Sequence, residues 1–258
     1  MPVRDDLGTR MKEFYEQVPK TRLTRRTPVA IRIDGKAFHT FTRGFDKPFD
    51  KVLGNAMVAT MKYLCENIQG CVFGYTQSDE ITLILIDYQK FTSSAWFDYE
   101  VQKMCSIAAS MATMEFNRRF NEEVNNWYYT CPIDISKDDL FYTYVNSIKK
   151  GAMFDARCFN IPKEEVCNLV YWRQLDATRN SIQMVGQSTF SHNELQNKSC
   201  NQIQDMLMLE RAINWNNFET RWKRGVAWKK DCGVDYEMPI LKGENRSYVE
   251  DVIFVGEM

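Results

Sequence analysis

Two acidic groups in this chain are spaced so that they could bind metal ions and a nucleotide. Asp34 ends an alternating apolar run at positions 29–33, and Asp79 with Glu80 lies between apolar runs at 72–75 and 81–86. These runs have the pattern of strands. If the strands are neighbours, Asp34 and Asp79 converge, and carboxylates with a backbone carbonyl are the hard oxygen ligands that Mg²⁺ prefers. Two such ions would serve nucleotidyl transfer, because they activate an attacking oxygen and neutralise charge on the leaving pyrophosphate.

The residues after Asp34 could bind phosphate. The segment Gly35-Lys36-Ala37-Phe38-His39 leads towards a helix, so its backbone N–H groups could cradle phosphate oxygens. It is not a P-loop, because the pattern G-x-x-x-x-G-K-[ST] is absent. Phe38 and Phe41 favour a role as core anchors. Candidate cationic contacts to a triphosphate are Lys36, Arg43, Lys47, Lys51 and Lys103. A second interpretation stays open, in which Asp34-Gly35 is a simple turn and Asp79-Glu80 a solvated hairpin tip.

The composition of the 258-residue chain narrows the classes of partner and site. Lys and Arg number 33 against 34 Asp and Glu, a net charge of −1, so any nucleic-acid surface must be a local patch. The eight cysteines form no C-x-x-C pair and only two histidines accompany them, so we expect no zinc site and reduced thiols. The first residues lack the apolar segment of a signal peptide, and no stretch approaches 18 apolar residues. We therefore expect a cytoplasmic protein without a membrane partner.

The hydrophobic periodicity predicts which elements position these residues. Helical patterns lie at about 5–20, 50–68, 94–120, 162–185 and 193–214, and strand patterns at 27–33, in the two runs around Asp79, and at 153–159. The order β-α-β-β-α-β predicts an α+β fold with a ferredoxin-like, palm-like sheet, one face covered by both helices and the other open to a ligand. We expect residues 1–160 to form this catalytic core and 161–258 a helix-rich extension with C-terminal strands, packed on the core as one unit.

Five motifs in a fixed order carry a family resemblance. They are Arg32-Ile33-Asp34-Gly35-Lys36-x-Phe38-His39-x-Phe41, Phe45-x-Lys47-Pro48, Gln77-Ser78-Asp79-Glu80, Phe154-Asp155-Ala156-Arg157 and Tyr171-Trp172-Arg173-Gln174-x-Asp176. Together they resemble the tRNA(His) guanylyltransferase family, and most closely its tRNA(His) guanylyltransferase-like members, which are 3′-to-5′ polymerases. The resemblance spans about residues 25 to 230.

The resemblance implies a Mg²⁺-dependent nucleotidyltransferase that adds nucleotides to the 5′ end of tRNA. The family first activates a 5′-monophosphate with ATP or GTP, and the 3′-hydroxyl of an incoming nucleoside triphosphate then attacks it. Carried over by motif, Asp34, the Gly35 carbonyl and Asp79 would bind two Mg²⁺ ions, with Glu80 in support. The nucleotide site would be lined by Asp34, Gly35, Lys36, Ala37, Phe38, His39, Ser78 and Asp79, and the phosphates held by Lys47, Lys103 and Arg157. The family also implies a homo-oligomer, a tetramer.

Two departures from the family pattern bear on the substrate. In the tRNA(His)-specific enzymes the Trp-Arg-Gln-x-Asp run continues into His-Ile-Asn-Asn, whereas this chain has Thr178-Arg179-Asn180-Ser181. This departure resembles the branch that favours templated repair of 5′-truncated tRNA over addition of a single guanosine. The family also commonly has a basic residue three positions before the lysine that Lys103 matches, and Glu100 occupies that position here.

Other interpretations remain at this stage. A tRNA(His) guanylyltransferase adding one 5′ guanosine fits the same motifs, a palm-domain nucleotide cyclase also uses two aspartates, and a non-catalytic tRNA-binding module would keep the fold alone. For Trp172, within a predicted amphipathic helix, we expect a buried packing role. The basic and Trp-containing segment 221–230 predicts either a base-stacking RNA surface or a strand that buries its tryptophans.

Overall fold

The computed structural model describes residues 6–130 and 135–255, so Asp5, where the first predicted helix begins, and Cys131 lie outside it. The described strands form one antiparallel sheet in the order β4-β1-β3-β2-β5-β6. They are β1 (Val29–Gly35), β2 (Cys71–Gln77), β3 (Glu80–Leu85), β4 (Phe154–Asn160), β5 (Val226–Lys229) and β6 (Gly233–Asp235). The last two strands come from the C-terminal part of the chain and extend the sheet beyond β2.

The helices connect these strands in the predicted order. They are α1 (Asp6–Met11), α2 (Phe38–Phe41), α3 (Lys51–Asn67), α4 (Val101–Thr130), α5 (Ile135–Lys150), α6 (Lys163–Thr189), α7 (His192–Leu195), α8 (Cys200–Arg211), α9 (Thr220–Arg224) and α10 (Ser247–Ile253). Because α3 joins β1 to β2 and α4 lies between β3 and β4, the predicted βαββαβ order and the α+β class are confirmed. The likeness to a polymerase palm and the division between residues 160 and 161 stay predictions.

One face of the sheet packs on α3 and α4 mainly through apolar side chains. Val29, Ile31 and Ile33 of β1 alternate towards this face, as do Ile81, Leu83 and Leu85 of β3. At its edge lies a cluster of aromatic rings that share edge and stacking contacts, namely Phe38, Phe41, Phe45, Phe116, Phe120, Tyr144 and Phe154. The expectation that Phe38 and Phe41 are core anchors is confirmed, since they are 5% and 7% exposed.

The prediction that the opposite face is open was wrong. The apolar positions of α6, among them Val166 and Val170, pack there with α10 against Ala30 and Ile84. The sequence pattern of α6 is amphipathic, and its apolar stripe requires a partner surface. Where α6 passes the ends of β1 and β3, this face carries the charged side chains of Arg32, Glu80 and Arg173.

Several helices differ from the expectation in length. The helix predicted from Ser94 begins at Val101, because Phe97, Asp98 and Tyr99 have positive φ and form a separate turn. Helix α5 was not predicted, and the helix expected over 193–214 is divided into α7 and α8. The start of α3 was predicted correctly, since Asp50 caps it by accepting a 2.8 Å hydrogen bond from the Leu53 N–H.

The first predicted helix forms only in part. Helix α1 ends at Met11 and continues as a wider turn to Glu16, and Leu7, Phe14, Tyr15 and Val18 are 61–73% exposed.

The expected tetramer stays a prediction. Among the helices of the described residues, none combines the length and apolarity needed to cross a lipid bilayer.

Candidate active site

The sheet brings the two acidic groups together, as their strands predict. Strand β1 pairs with β3 so that Asp34 lies opposite Glu80. The hairpin between β2 and β3 then places Asp79 at the end of β1, where the backbone N–H of Gly35 donates a 3.2 Å hydrogen bond to the Asp79 carbonyl. The carboxylates of Asp34 and Asp79 interact electrostatically. The hairpin tip and the end of β1 therefore form one acidic site.

The carboxyl group of Asp79 is placed where ionisation is costly. Burial raises its pKa above the ordinary value for aspartate, and the charges of Asp34 and Glu80 raise it further. Hydrogen bonds from its own backbone N–H and from the Ser78 hydroxyl, 3.1 Å from Oδ1, act in the opposite direction. A cation between the two aspartates would remove the repulsion.

The segment after Asp34 is held close to the site by Phe38. A side chain at Gly35 would place its Cβ 2.2 Å from the Phe38 ring, so glycine is required for this approach. Ala37 has a φ of 54°, an uncommon value for a residue with a side chain, and it precedes the short helix α2. The backbone N–H of Lys36 donates a 2.8 Å hydrogen bond to the Met153 carbonyl. Such strained backbone is frequent where a loop approaches a ligand.

A cleft of about 1040 Å³ opens beside this segment. Seven of the residues predicted for the site line it: Gly35, Ala37, Phe38, His39, Lys47, Ser78 and Asp79. The remaining wall residues are Thr42, Phe45, Asp46, Pro48, Asp50, Leu53 and Met184. Of these, Met184 comes from α6, which the motif analysis did not connect with the nucleotide. The Asp50 carboxylate is already engaged, since it also accepts hydrogen bonds from the Asp46 N–H and the Tyr144 hydroxyl.

The other predicted residues lie around the cleft without lining it. Asp34 is next to it through Gly35, and the side chain of Lys36 is exposed. Arg157 lies on β4 opposite Arg32 and pairs with Asp155 at 3.2 Å, both side chains being more than half exposed. Lys103 lies in the first turn of α4 with its Nζ 4.9 Å from the centre of the Phe97 ring. Their predicted contacts with phosphate stay predictions.

Glu80 points to a cluster of arginines on the face covered by α6. Its Oε2 is 2.6 Å from Nη2 of Arg173 and 3.3 Å from Nη2 of Arg32. Asp176 accepts hydrogen bonds from Arg173 at 2.8 Å and from Arg179. Arg173 lies on the same helical face as Val166, Val170 and Ala177, so the 3.6-residue period would have revealed that this arginine is buried.

The expectation that Trp172 is buried was wrong. It is 51% exposed, and its ring lies beside the guanidinium groups of Arg32 and Arg173, 5.2 and 4.6 Å from the ring centre. Gln174, two positions after Trp172, is buried instead. Its side-chain N–H donates a hydrogen bond to the Pro239 carbonyl and its side-chain oxygen accepts one from the Leu241 N–H, both at 2.9 Å. The inward stripe of α6 therefore runs through residues 173, 174 and 177.

A second cleft of about 680 Å³ adjoins the first and shares Asp50, Leu53, Ser78 and Met184 with it. Its walls include Asn180 and Ser181 of α6. Trp222 forms the opposite wall, stacked on Phe49 with ring centres 5.3 Å apart. Trp228 is 7% exposed in β5, so for this tryptophan the buried-strand interpretation is correct.

The donors at the acidic site suit a hard divalent cation. In the described part of the chain no group of three or more His, Cys, Asp or Glu side chains converges as a metal site. Asp34, Asp79 and the Gly35 carbonyl would supply three ligand groups, so further ligands would have to come from phosphate or water, as is usual for Mg²⁺ bound with a nucleotide. The mutual repulsion that raises the pKa of Asp79 is the condition such an ion would relieve.

Comparison with known proteins identifies the family of the chain. Residues 8–162, more than half of the chain, match the family model described as tRNAHis guanylyltransferase (Thg1). A bacterial tRNA(His) guanylyltransferase (Thg1)-like protein in complex with ATP is 40% identical, with a TM-score of 0.81 over 96% of this chain and 99% of that one. A bacterial protein of the same description in complex with GTP is 36% identical, with a TM-score of 0.77 over 97% and 100%. The uncharacterized protein R259 of Acanthamoeba polyphaga mimivirus is 31% identical, over 88% of this chain and 78% of the relative. The chain belongs to the tRNA(His) guanylyltransferase family and is a nucleotidyltransferase.

Proposed function

We propose that this enzyme adds nucleotides in the 3′-to-5′ direction to the 5′ end of tRNA and repairs 5′-truncated tRNA by copying the opposing strand. The observation that carries the proposal is the cleft beside Asp34 and Asp79, in a chain 40% identical to a Thg1-like protein in complex with ATP. Activation of a tRNA 5′-monophosphate by ATP or GTP would come first. The 3′-hydroxyl of an incoming nucleoside triphosphate would then displace the activating group.

Two Mg²⁺ ions would be held by Asp34, the Gly35 carbonyl and Asp79, and when bound they supply charge neutralisation for phosphate and activation of the attacking oxygen. The residues of this chain do the remaining work. Backbone N–H groups of Ala37, Phe38 and His39 would orient the triphosphate, since those of Gly35 and Lys36 already donate to the Asp79 and Met153 carbonyls. Lys47 at the cleft wall adds a positive charge. Lys103 and Arg157 would bind phosphates of the second nucleotide or of the acceptor.

The choice of acceptor would depend on the second cleft. Its α6 wall carries Asn180 and Ser181 in place of the Asn-Asn of tRNA(His)-specific enzymes, and the Ser181 hydroxyl accepts a 3.0 Å hydrogen bond from the Trp215 indole. That serine is therefore engaged within the protein. Without the tRNA(His)-specific motif, selection would fall to base pairing between the incoming nucleotide and the opposing strand.

A primer-extension assay tests this proposal. A 5′-monophosphorylated tRNA lacking its first nucleotide is incubated with each NTP singly, for each of the four opposing bases, with Asp79→Ala enzyme as the matched control. We expect the complementary NTP to be preferred by about 1–3 kcal/mol, which is roughly 5- to 150-fold in kcat/KM. Addition to full-length tRNA(His) opposite adenosine should be slower.

The alternatives predict different products in the same assay. Preferred addition of guanosine to tRNA(His), with its anticodon required, would assign the chain to the guanylyltransferase branch. A cyclic nucleotide formed from NTP without RNA would indicate a cyclase. Retained tRNA binding without any turnover would indicate a binding module.

A further inference from the structure

The guanidinium group of Arg173 is buried to a degree that is rare for arginine. Its side chain is 5% exposed, although most arginines keep their charge in water. Its Nη2 forms an ion pair with Glu80 Oε2 at 2.6 Å and donates a 2.8 Å hydrogen bond to Asp176 Oδ2. The buried charge is thus neutralised by two carboxylates, one of which belongs to the hairpin of the acidic site.

The pairing is not the one that would best stabilise the fold. Both carboxylates are bound through the same nitrogen, Nη2, and the buried Nε–H has no hydrogen-bond partner in the described part of the chain. An arginine that binds a carboxylate with two parallel N–H groups forms a stronger pair. Because buried ion pairs contribute little net stability and an unpaired donor costs stability, a role in function explains Arg173 better.

Arg173 reaches the acidic site through one residue. Glu80 follows Asp79 directly and lies opposite Asp34 in the ladder of β1 and β3. The hairpin tip before it contains Ser78 with a φ of 50°, a conformation that a residue with a side chain adopts only when its surroundings hold it. Helix α6 stabilises this conformation, because its Arg173 forms an ion pair with Glu80, the first residue after the tip.

We propose that Arg173 is a positioning residue, which through Glu80 holds the Ser78–Asp79 tip in place against Asp34 without touching the nucleotide. The backbone also joins the tip to the end of β1, through the pairing of Asp34 with Glu80 and the 3.2 Å hydrogen bond from the Gly35 N–H to the Asp79 carbonyl. A displacement of about 1 Å in a reacting geometry can lower turnover by about 100-fold. The kinetic part of this inference rests on the proposed function.

The test compares Arg173→Met and Arg173→Lys with Arg179→Met as the matched control. Arg179 is on the same helix and pairs with the same Asp176, but it is 62% exposed and has no contact with Glu80. We expect Arg173→Met to lower kcat for nucleotide addition by about 100-fold with the KM for tRNA unchanged. Arg173→Lys should restore part of kcat, and Arg179→Met should leave it unchanged.

Hydrogen exchange gives a readout that does not need activity. The Gly35 amide should exchange faster in Arg173→Met than in wild type or Arg179→Met, because its acceptor on Asp79 is displaced. If wild-type enzyme shows no nucleotide addition, the proposed function fails while this exchange measurement still tests the positioning role. Unchanged Gly35 exchange in folded Arg173→Met would overturn the inference.

A double variant covers the case in which Arg173→Met does not fold. Combining it with Glu80→Gln removes both charges of the Arg173–Glu80 pair, so that no Glu80 carboxylate depends on the more distant Arg32, at 3.3 Å, as its remaining partner. If Arg173 acts through Glu80, the double variant should be no less active than Glu80→Gln alone. Additive losses in the double variant would mean that Arg173 acts on something other than Glu80, and the inference would be wrong.

Discussion

The two faces of the sheet bury side chains of different chemistry. Under α3 and α4 the buried side chains include Phe116, Phe120 and Tyr144, each 0–1% exposed. Under α6, at the ends of β1 and β3, the buried Arg173 pairs with the partly buried carboxylates of Glu80 and Asp176. Burial of aromatic area stabilises a fold without constraint on charge, whereas burial of ions costs desolvation that their attraction only partly offsets.

The difference between the two faces shows where the molecule loses folding stability in favour of function. The charged cluster adjoins the hairpin tip, where Asp79 has a raised pKa and Ser78 a positive φ. The aromatic cluster adjoins the same site from the other side, since the Phe38 ring covers Gly35. The stability of the aromatic face thus offsets the unfavourable backbone conformation and charge repulsion around the acidic site.

The strongest test of this contrast is removal of the aspartates. Asp34→Ala or Asp79→Ala should lower kcat for nucleotide addition on the order of 1000-fold, because each takes away a ligand of the predicted cations. The far-UV circular dichroism should not change. The double variant should be little worse than either single one, since the two act as a unit. Asp205→Ala, at an exposed position of α8, makes the same chemical change and should have no effect; near-normal turnover of either site variant would disprove the metal assignment.

The aromatic face should respond in the opposite way, through stability. Phe116→Ala should lower the free energy of unfolding by about 3–5 kcal/mol, because a fully buried ring leaves a cavity. On the other face, Trp172→Ala should cost about 0.5–1 kcal/mol, as expected for an exposed ring beside guanidinium groups. Urea denaturation of both variants measures the difference. Equal losses would mean that the faces do not differ in the way described.

A smaller effect is expected from Asp79→Asn without ligands. Because burial raises the pKa of Asp79 in the folded state above that in the unfolded chain, its ionisation favours unfolding. The protonated carboxyl group of Asp79 therefore contributes stability that is fully present below the ordinary aspartate pKa. This contribution is lost as the pH rises through the raised pKa of the folded state. Near pH 7 the ligand-free variant should therefore melt at a higher temperature than wild type, and the two should converge as the pH is lowered.

The same variant should lose the stabilisation that ligands provide. Mg²⁺ with ATP should raise the melting temperature of wild type, since a ligand that binds the folded state stabilises it. In Asp79→Asn this rise should be smaller. An equal rise in both proteins would show that the ions bind elsewhere.

The sequence predicts the apolar face better than the charged one. Alternation in β1 and the capping residue Asp50 follow from local periodicity and hydrogen bonding, so β1, β3 and the start of α3 were placed correctly. Residue type favours a buried Trp172 and an exposed Arg173, the opposite of what α6 shows, and only the 3.6-residue period of its apolar stripe marks Arg173 as buried. The break before α4 depends on positive φ at three consecutive residues without glycine, which no turn signal in the sequence marks.

The residues of the candidate site divide in the same way, into those that the sequence predicts and those that tertiary packing adds. The motif residues from Gly35 to His39 and at Ser78 and Asp79 converge because two neighbouring strands carry them, and this could be foreseen. Met184 joins the cleft from a helix more than 100 residues later in the chain, through tertiary packing alone. The ion pairs of Glu80 arise in the same way.

The central claim is that Asp34, the Gly35 carbonyl and Asp79 hold cations that carry a nucleotide in the cleft. A crystal structure of the enzyme with Mn²⁺ and a non-hydrolysable ATP analogue tests it most directly, since anomalous scattering locates the metal. The account predicts metal peaks within about 2.0–2.4 Å of oxygens from these three residues, with the triphosphate along the segment from Gly35 to His39. Metal peaks or a triphosphate bound away from Asp34 and Asp79 would contradict it.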